Sequence, residues 1–221
     1  MALVNGVPGQ VSLTVPLPAK DDALVAVRIP HYDSVILPAA ATPLVEFQLF
    51  RVPIGQGYPN AAAGRVKTVR ETTLKTANRL DAPEWFAMFG MHWEIVNPAA
   101  IALVDYLMVL KLGYIIVNLQ SPKIRVEVPL SEIPSRVGVE GTQATIAGPA
   151  ASTGEYHNGQ PNQANFFQFA QADGNPFPIN NNESLDFSLV FPTVPASGVA
   201  PVVSAAIEFK LFLDGYRNIK R

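Results

Sequence analysis

At 221 residues the chain fits one β-sandwich or barrel domain, long enough to bury roughly 70% of its unfolded surface without a metal or disulfide staple. Cysteine is absent, which excludes disulfide scaffolds, thiolate metal sites and cysteine nucleophiles, and 16 Lys and Arg against 18 Asp and Glu leave a net charge of −2, no basic footprint for nucleic acid. Charged residues make up 15% where about 25% is usual, and a surface so poor in charge suits permanent contact with neighbouring subunits, as a neutral lectin-like surface also would.

Met1 to Gln10 has no basic start, no apolar block of signal-peptide length and no cleavage pattern, so the mature chain is expected to begin at or near Met1, with residues 1–20 as an N-terminal arm. The 20 prolines and 15 glycines are spread along the chain, as short strands joined by turns require. Residues 11–15 and 24–29 are the first strand candidates. Val45-Glu46-Phe47-Gln48-Leu49 then alternates apolar and polar side chains, the period of a half-buried strand. Gly55-Gln56-Gly57 reads as a turn, because no helix and no third glycine follow it.

Residues 65–74 and 86–96 are further strand candidates. Residues 99–110 lack alternation, are rich in Ala, Leu and Met and follow Pro98, which predicts one helix joining two strands. The apolar stretch from Pro98 to Leu119 is interrupted by Asp105, Lys111, Gly113 and Asn118, so it is not a membrane span. Strands are expected over 112–119 and around Ile124, Val126 and Val128, and residues 165–169 are a weaker candidate. Leu185, Phe187, Leu189 and Phe191, and then Ile207, Phe209, Leu211 and Leu213, complete the alternating set. Ten strands in all, with one short helix and long loops, predict an all-β fold. The expected form is an antiparallel double-sheet jelly roll, residues 1–221 making one domain with Val45, Phe47, Leu49, Val126, Phe187, Leu189, Phe209 and Leu211 turned into its interior.

Residues 137–182 read as a long loop excursion. Asn or Gln fills 11 of the 25 positions from Asn158 to Asn182. Amides donate and accept without the desolvation cost of ions, so Asn158, Gln160, Asn162, Gln163, Asn165, Gln168 and Gln171 are candidate subunit contacts; a solvated surface loop or a glycan site would have the same composition.

Signatures of catalysis are missing from the sequence. There is no G-x-S-x-G elbow, P-loop or G-x-G-x-x-G, and His31, His92 and His157 stand far apart, outside any metal-ligand spacing. His92 points away from Met91 and Trp93 if its strand alternates, which predicts a surface or interface position. No enzyme activity, cofactor or metal is expected, although a glycosidase carboxylate pair would be invisible in spacing alone. Trp85, Phe86, Phe89 and Trp93, and likewise Phe166, Phe167 and Phe169, fit either core packing or a sugar-stacking platform.

Several elements, taken in order, resemble capsid proteins of tailless icosahedral bacterial viruses, including the lipid-containing kinds. They are Thr73-Leu74-Lys75-Thr76-Ala77-Asn78 before Ala82-Pro83-Glu84-Trp85-Phe86, and a helix feeding a strand. Pro129-Leu130-Ser131-Glu132-Ile133-Pro134 and Pro176-Phe177-Pro178-Ile179 follow, and Leu213-Asp214-Gly215-Tyr216-Arg217 closes the series. The likeness covers about two thirds of the chain, and the first 70 residues and the amide-rich loop lie outside it. It implies a structural subunit that self-assembles into an icosahedral shell, with other capsid proteins as partners, a virion location after assembly in the host cytoplasm, and inner-membrane lipid contact. Arg217, Lys220 and Arg221 would then face a membrane or genome, or else form a solvated tail. A carbohydrate- or receptor-binding sandwich and a β-sandwich hydrolase are the rival classes.

Overall fold

Alternation built on β-branched and aromatic residues forms strands wherever one face can be covered, and the C-terminal run from Ile207 is the longest example. The computed structural model describes residues 24–39, 42–82, 84–96, 101–119, 124–133, 140–144, 153–157, 167–168, 175–181, 183–193 and 198–220. Among them are twelve strands: β1 (Leu24–Arg28), β2 (His31–Leu37), β3 (Glu46–Leu49), β4 (Trp85–Ile95), β5 (Tyr114–Leu119) and β6 (Ile124–Pro129), then β7 (Glu140–Ala144), β8 (Thr153–His157), β9 (Phe167–Gln168), β10 (Phe177–Asn180), β11 (Asp186–Val190) and β12 (Ile207–Lys220). The helix α1 (Leu103–Leu112) joins β4 to β5.

Ten of these strands form two antiparallel sheets, and β7 and β8 pair only with each other. One sheet runs β1-β12-β4-β10, with β2 also on β12 and β9 on β4; the other runs β3-β11-β5-β6. Their inner faces share one apolar core. Leu37, Phe86, Met88, Met91, Trp93, Phe209, Leu211 and Leu213 come from the first sheet, and Leu49, Ile115, Val117, Val128, Phe187 and Leu189 from the second. Trp93 lies between Tyr106 of α1 (6.0 Å) and Phe209 (5.5 Å), and its indole N–H donates to the Ile133 carbonyl at 2.6 Å. The chain is therefore an all-β double-sheet sandwich with one helix.

β1 and β2 are one strand interrupted by Ile29-Pro30, because proline has no N–H for the ladder. Facing that break, β4 carries a bulge: Gly90 pairs with Asp214 and Met88 with Gly215, leaving Phe89 unpaired. The bulge reverses the alternation of β4, so Phe86 and Met88 share the core face with Met91 and Trp93. Gly215 tolerates no side chain, since a Cβ there would run into the Phe86 ring and the Ala87 carbonyl.

Several expectations need correction. Residues 65–74 are not a strand but part of a turn-rich connection from β3 to β4, which covers the edge of β2 through Thr73 N–H to Tyr32 O (3.0 Å) and the Asp33–Thr72 bridge. Covering an edge strand in this way prevents pairing with other chains. β2 was not anticipated, because His31, Asp33 and Ser34 break its apolar pattern. Val45 is 57% exposed: the strand begins one residue later. Phe47 and Val126 are half-buried, and Leu49, Phe187, Leu189, Phe209 and Leu211 are buried as expected. The helix starts at Leu103, well after Pro98. Within 137–182, the expected loop holds the β7–β8 hairpin, β9 and β10. Residues 1–20, the candidate strand at 11–15 among them, lie outside the described residues.

Candidate functional site

Outward-facing side chains of a sandwich are normally solvated, but those of β2, β4 and β12 are covered and polar. Ser34, His92, Glu208, Lys210 and Asp214 are all buried. The β3–β4 connection supplies part of the cover: the Tyr58 hydroxyl donates to Ser34 Oγ (2.8 Å), the Asn60 amide to the Ile36 carbonyl (3.1 Å) and the Tyr32 hydroxyl to the Val69 carbonyl (2.5 Å). Buried polar groups are tolerated only when partnered, and here the partners are neighbours across the sheet. His92 Nδ1 donates to Asp214 Oδ2 at 2.6 Å, and its ring stacks on Phe212 at 4.4 Å with 6° between planes. Lys210 Nζ lies 3.5 Å from Glu94 and over the Tyr32 ring.

Arg65 reaches across the same face to Glu71 (3.2 Å) and Glu208 (3.3 Å), which hold its guanidinium above its ordinary pKa against the effect of burial. Burial pushes the Glu71 carboxyl up, but the Thr68 hydroxyl and amide, with Arg65, draw it below the usual carboxylate range.

Around the edge of β2 lies the most enclosed ion pair described. Lys67 Nζ stands 2.6 Å from Asp33 Oδ1, their side chains 1% and 0% exposed. Asp33 Oδ2 accepts the Phe50 N–H at 2.6 Å. Phe50 has φ of 58°, a left-handed conformation costly for a bulky residue, and the carboxylate bond with ring packing on Phe187 (5.4 Å) holds it there. Burial pushes the Asp33 carboxyl above its ordinary range, against the pull of Lys67.

On the inner face beside Leu213, His31 donates from Nδ1 to the Thr73 hydroxyl (3.0 Å), which itself donates to the Tyr32 carbonyl (3.3 Å). Its Nε2 is buried without a partner. Desolvation, with the Arg217 charge nearby, lowers its pKa to about 3, so the ring is neutral. Arg217 itself pairs with Glu84.

This arrangement locks strands together. The His92–Asp214 pair could hold an imidazole for acid–base chemistry, with the ring buried and stacked on Phe212. Among the described residues, no three His, Asp or Glu side chains converge as a metal would require.

The sequence-derived candidates fall elsewhere. Asn158, Gln160, Asn162, Gln163, Asn165 and Gln171 lie outside the described residues, while Gln168 is exposed on β9 opposite Gly90. Of the C-terminal basic group, Arg217 and the Lys220 backbone belong to β12, and Arg217 is engaged by Glu84; Arg221 lies outside the described residues. His92, expected at the surface, is 4% exposed. Phe86 and Trp93 are core, and Phe89 meets Tyr216 at 51°, a tilt that makes no flat sugar platform. The sequence gives little sign of Asp33 and Lys67; the signal available was a lone carboxylate just ahead of the apolar run Val35-Ile36-Leu37. No known protein-family model, curated protein or solved structure matches this chain.

Proposed function

We propose that the protein is a structural subunit of a virus capsid, built as a jelly roll and acting by self-assembly. The observation that supports this most is the strand order, β1/β2-β12-β4-β10 facing β3-β11-β5-β6. From β2 to β5 each strand crosses to the opposite sheet, β5 and β6 form a hairpin, and β10, β11 and β12 again cross in turn. Apart from the separate β7–β8 hairpin and short β9, this order supports a path of two Greek keys wound together, a form that shell subunits share with lectins and cupins.

Two further features fit a shell subunit. Among the described residues, Trp93, Phe209, Phe187, Phe86 and their neighbours pack the space between the sheets, where a cupin would keep its lumen. The low charge of the whole chain also suits faces that stay covered. Resemblance in the order of sequence elements from Thr73 to Arg217 points the same way.

Sedimentation velocity of the purified protein over a wide concentration range, with negative-stain electron microscopy of the heaviest fraction, tests the proposal. Discrete assemblies of closed form are expected. A chain that stays monomeric at the highest concentration and in every salt condition would sink it, and glycan-array binding by such a monomer would promote the recognition module.

A further inference from the structure

The turn that follows Thr73 gathers polar side chains around a small cavity. Thr76 and Arg79 bridge across Ala77-Asn78, and Asn78 takes a φ of 61°, a left-handed conformation that asparagine tolerates better than most residues. Leu74 and Leu80 are buried and anchor the two arms of the turn in the core. The reversal brings Lys75 and Arg79 to one cavity, whose walls include His31, Thr73, Asp81 and Glu84. Its volume of about 10 Å³ has room for a single oxygen atom, and it opens to solvent on one side.

The walls offer hydrogen-bonding groups of both kinds. Lys75 and Arg79 are exposed and form no ion pair among the described residues, so their N–H groups are ready to donate. Asp81 accepts the Thr76 hydroxyl and Glu84 accepts Arg217, and each carboxylate keeps further lone pairs. His31 spends Nδ1 on Thr73, and its Nε2 is buried without a partner. Because the Thr73 hydroxyl donates onward to the Tyr32 carbonyl, Nδ1 carries the proton and Nε2 is an acceptor. Burial, with the Arg217 charge, keeps the ring in this neutral form at ordinary pH.

We propose that this cavity is a binding site for a hydrogen phosphate group, one oxygen entering beside His31 and the others meeting Lys75 and Arg79 at the mouth. Charge and proton together select the ligand. Three cations, Lys75, Arg79 and Arg217, stand against the carboxylates of Asp81 and Glu84, so an anion is attracted. A fully ionised anion, however, would set its oxygens against Nε2 and the two carboxylates with no proton between them, and an unmatched buried acceptor is costly. Hydrogen phosphate supplies both functions. Its P–OH donates to Nε2 or a carboxylate, while its ionised oxygens accept from Arg79 and Lys75 in charge-assisted bonds. Sulfate and phosphodiesters carry no proton near neutral pH and lack that donor. Inorganic phosphate and a phosphate monoester share the required chemistry, since a monoester holds its last proton with a pKa of about 6.

Isothermal titration calorimetry of the full-length protein at about pH 6 tests the site, with sodium phosphate, phosphoserine and sodium sulfate at matched ionic strength. Phosphate should bind once per chain, and sulfate at least about tenfold more weakly. Lys75→Gln/Arg79→Gln changes exposed positions, so it should keep its melting temperature within about 3 °C and bind phosphate at least about tenfold more weakly. Arg70→Gln/Lys111→Gln removes two exposed cations elsewhere and should bind as the wild type does. Phosphate binding accompanied by phosphoserine binding supports the site and assigns it to a phosphorylated partner; phosphate binding alone supports it and assigns it to the free ion. Sulfate bound as tightly as phosphate overturns the proposal, because charge alone would then be at work. Unchanged phosphate binding by Lys75→Gln/Arg79→Gln overturns it too, as does a wild type that binds no phosphate. These outcomes are independent of whether the protein assembles, which sedimentation reads separately.

Discussion

Lys67 and Asp33 form an ion pair of 2.6 Å with essentially no solvent access, and the same carboxylate holds the strained Phe50 backbone through its N–H. The pair thus joins β2, the turn after β3 and the long connection that covers the β2 edge. Removing one member leaves an uncompensated charge or an empty acceptor in the interior, which costs about 3–5 kcal/mol.

Lys67→Met should therefore lower unfolding free energy by about that amount in urea titration. Asp33→Asn/Lys67→Met, which buries no charge, should recover part of the loss. The sign with pH follows from the raised pKa of Asp33: its neutral form is favoured in the folded state, so the Lys67→Met protein should regain stability as pH falls through the folded-state pKa. Equal loss in the single and double variants would mean that shape, not charge, matters here.

His31 gives the opposite dependence. Its folded-state pKa of about 3 lies below the ordinary 6.5, so the unfolded chain binds the extra proton between those values. The neutral ring's contribution is complete above pH 6.5 and is lost as pH falls toward 3, an effect on the order of a few kcal/mol. Glu71, with its lowered pKa, adds to acid loss only in the lower part of that range, as pH falls through the carboxylate region. Thermal melts of His31→Gln should show a flatter profile between pH 6.5 and 4.5 than the wild type. Parallel profiles would assign the acid sensitivity elsewhere.

Trp93 anchors α1 to both sheets. Trp93→Phe removes the donor to the Ile133 carbonyl and leaves that buried acceptor unpaired, at a cost of about 1–3 kcal/mol. Trp93→Ala should cost about 3–5 kcal/mol through the cavity. Chemical denaturation checks both values. Indole fluorescence of the wild type should be blue-shifted and should lose that component in either variant.

The β7–β8 hairpin pairs with itself and with neither sheet. Replacing residues 140–157 by a short Gly-Ser linker should leave the melting temperature within about 4 °C while far-UV circular dichroism keeps its β signature. Collapse of the fold would show that the hairpin packs against the sandwich.

Gly215 sits where β12 passes the β4 bulge. Gly215→Val should prevent soluble expression or lower the melting temperature by well over 5 °C, because the Phe86 ring and the Ala87 backbone occupy the Cβ position. Normal stability of this variant would show that the bulge relaxes freely.

Strand identity was legible in the sequence wherever one face meets the core and the other meets water. Phe187 and Leu189, and Phe209 and Leu211, alternate because burial on one side alone imposes a period of two, and their inward direction follows from that pattern. β2 carries no such signal. Its inner positions include His31 and Asp33, acceptable only because Thr73, Lys67 and the Phe50 amide arrive from far along the chain. The period of β4 is broken by one unpaired residue, Phe89, whose bulge depends on β12 alongside. Burial of His92, Lys210 and Asp214 on an outward face likewise depends on partners brought by other strands, Asp214 and Phe212 for His92 and Glu94 and Tyr32 for Lys210. Local periodicity thus determined the all-β class and most of the core, since each strand reports its own two faces. The tertiary structure alone decided the sheet order and the buried ion pair, because these arise between segments far apart in the chain, whose meeting no local pattern encodes.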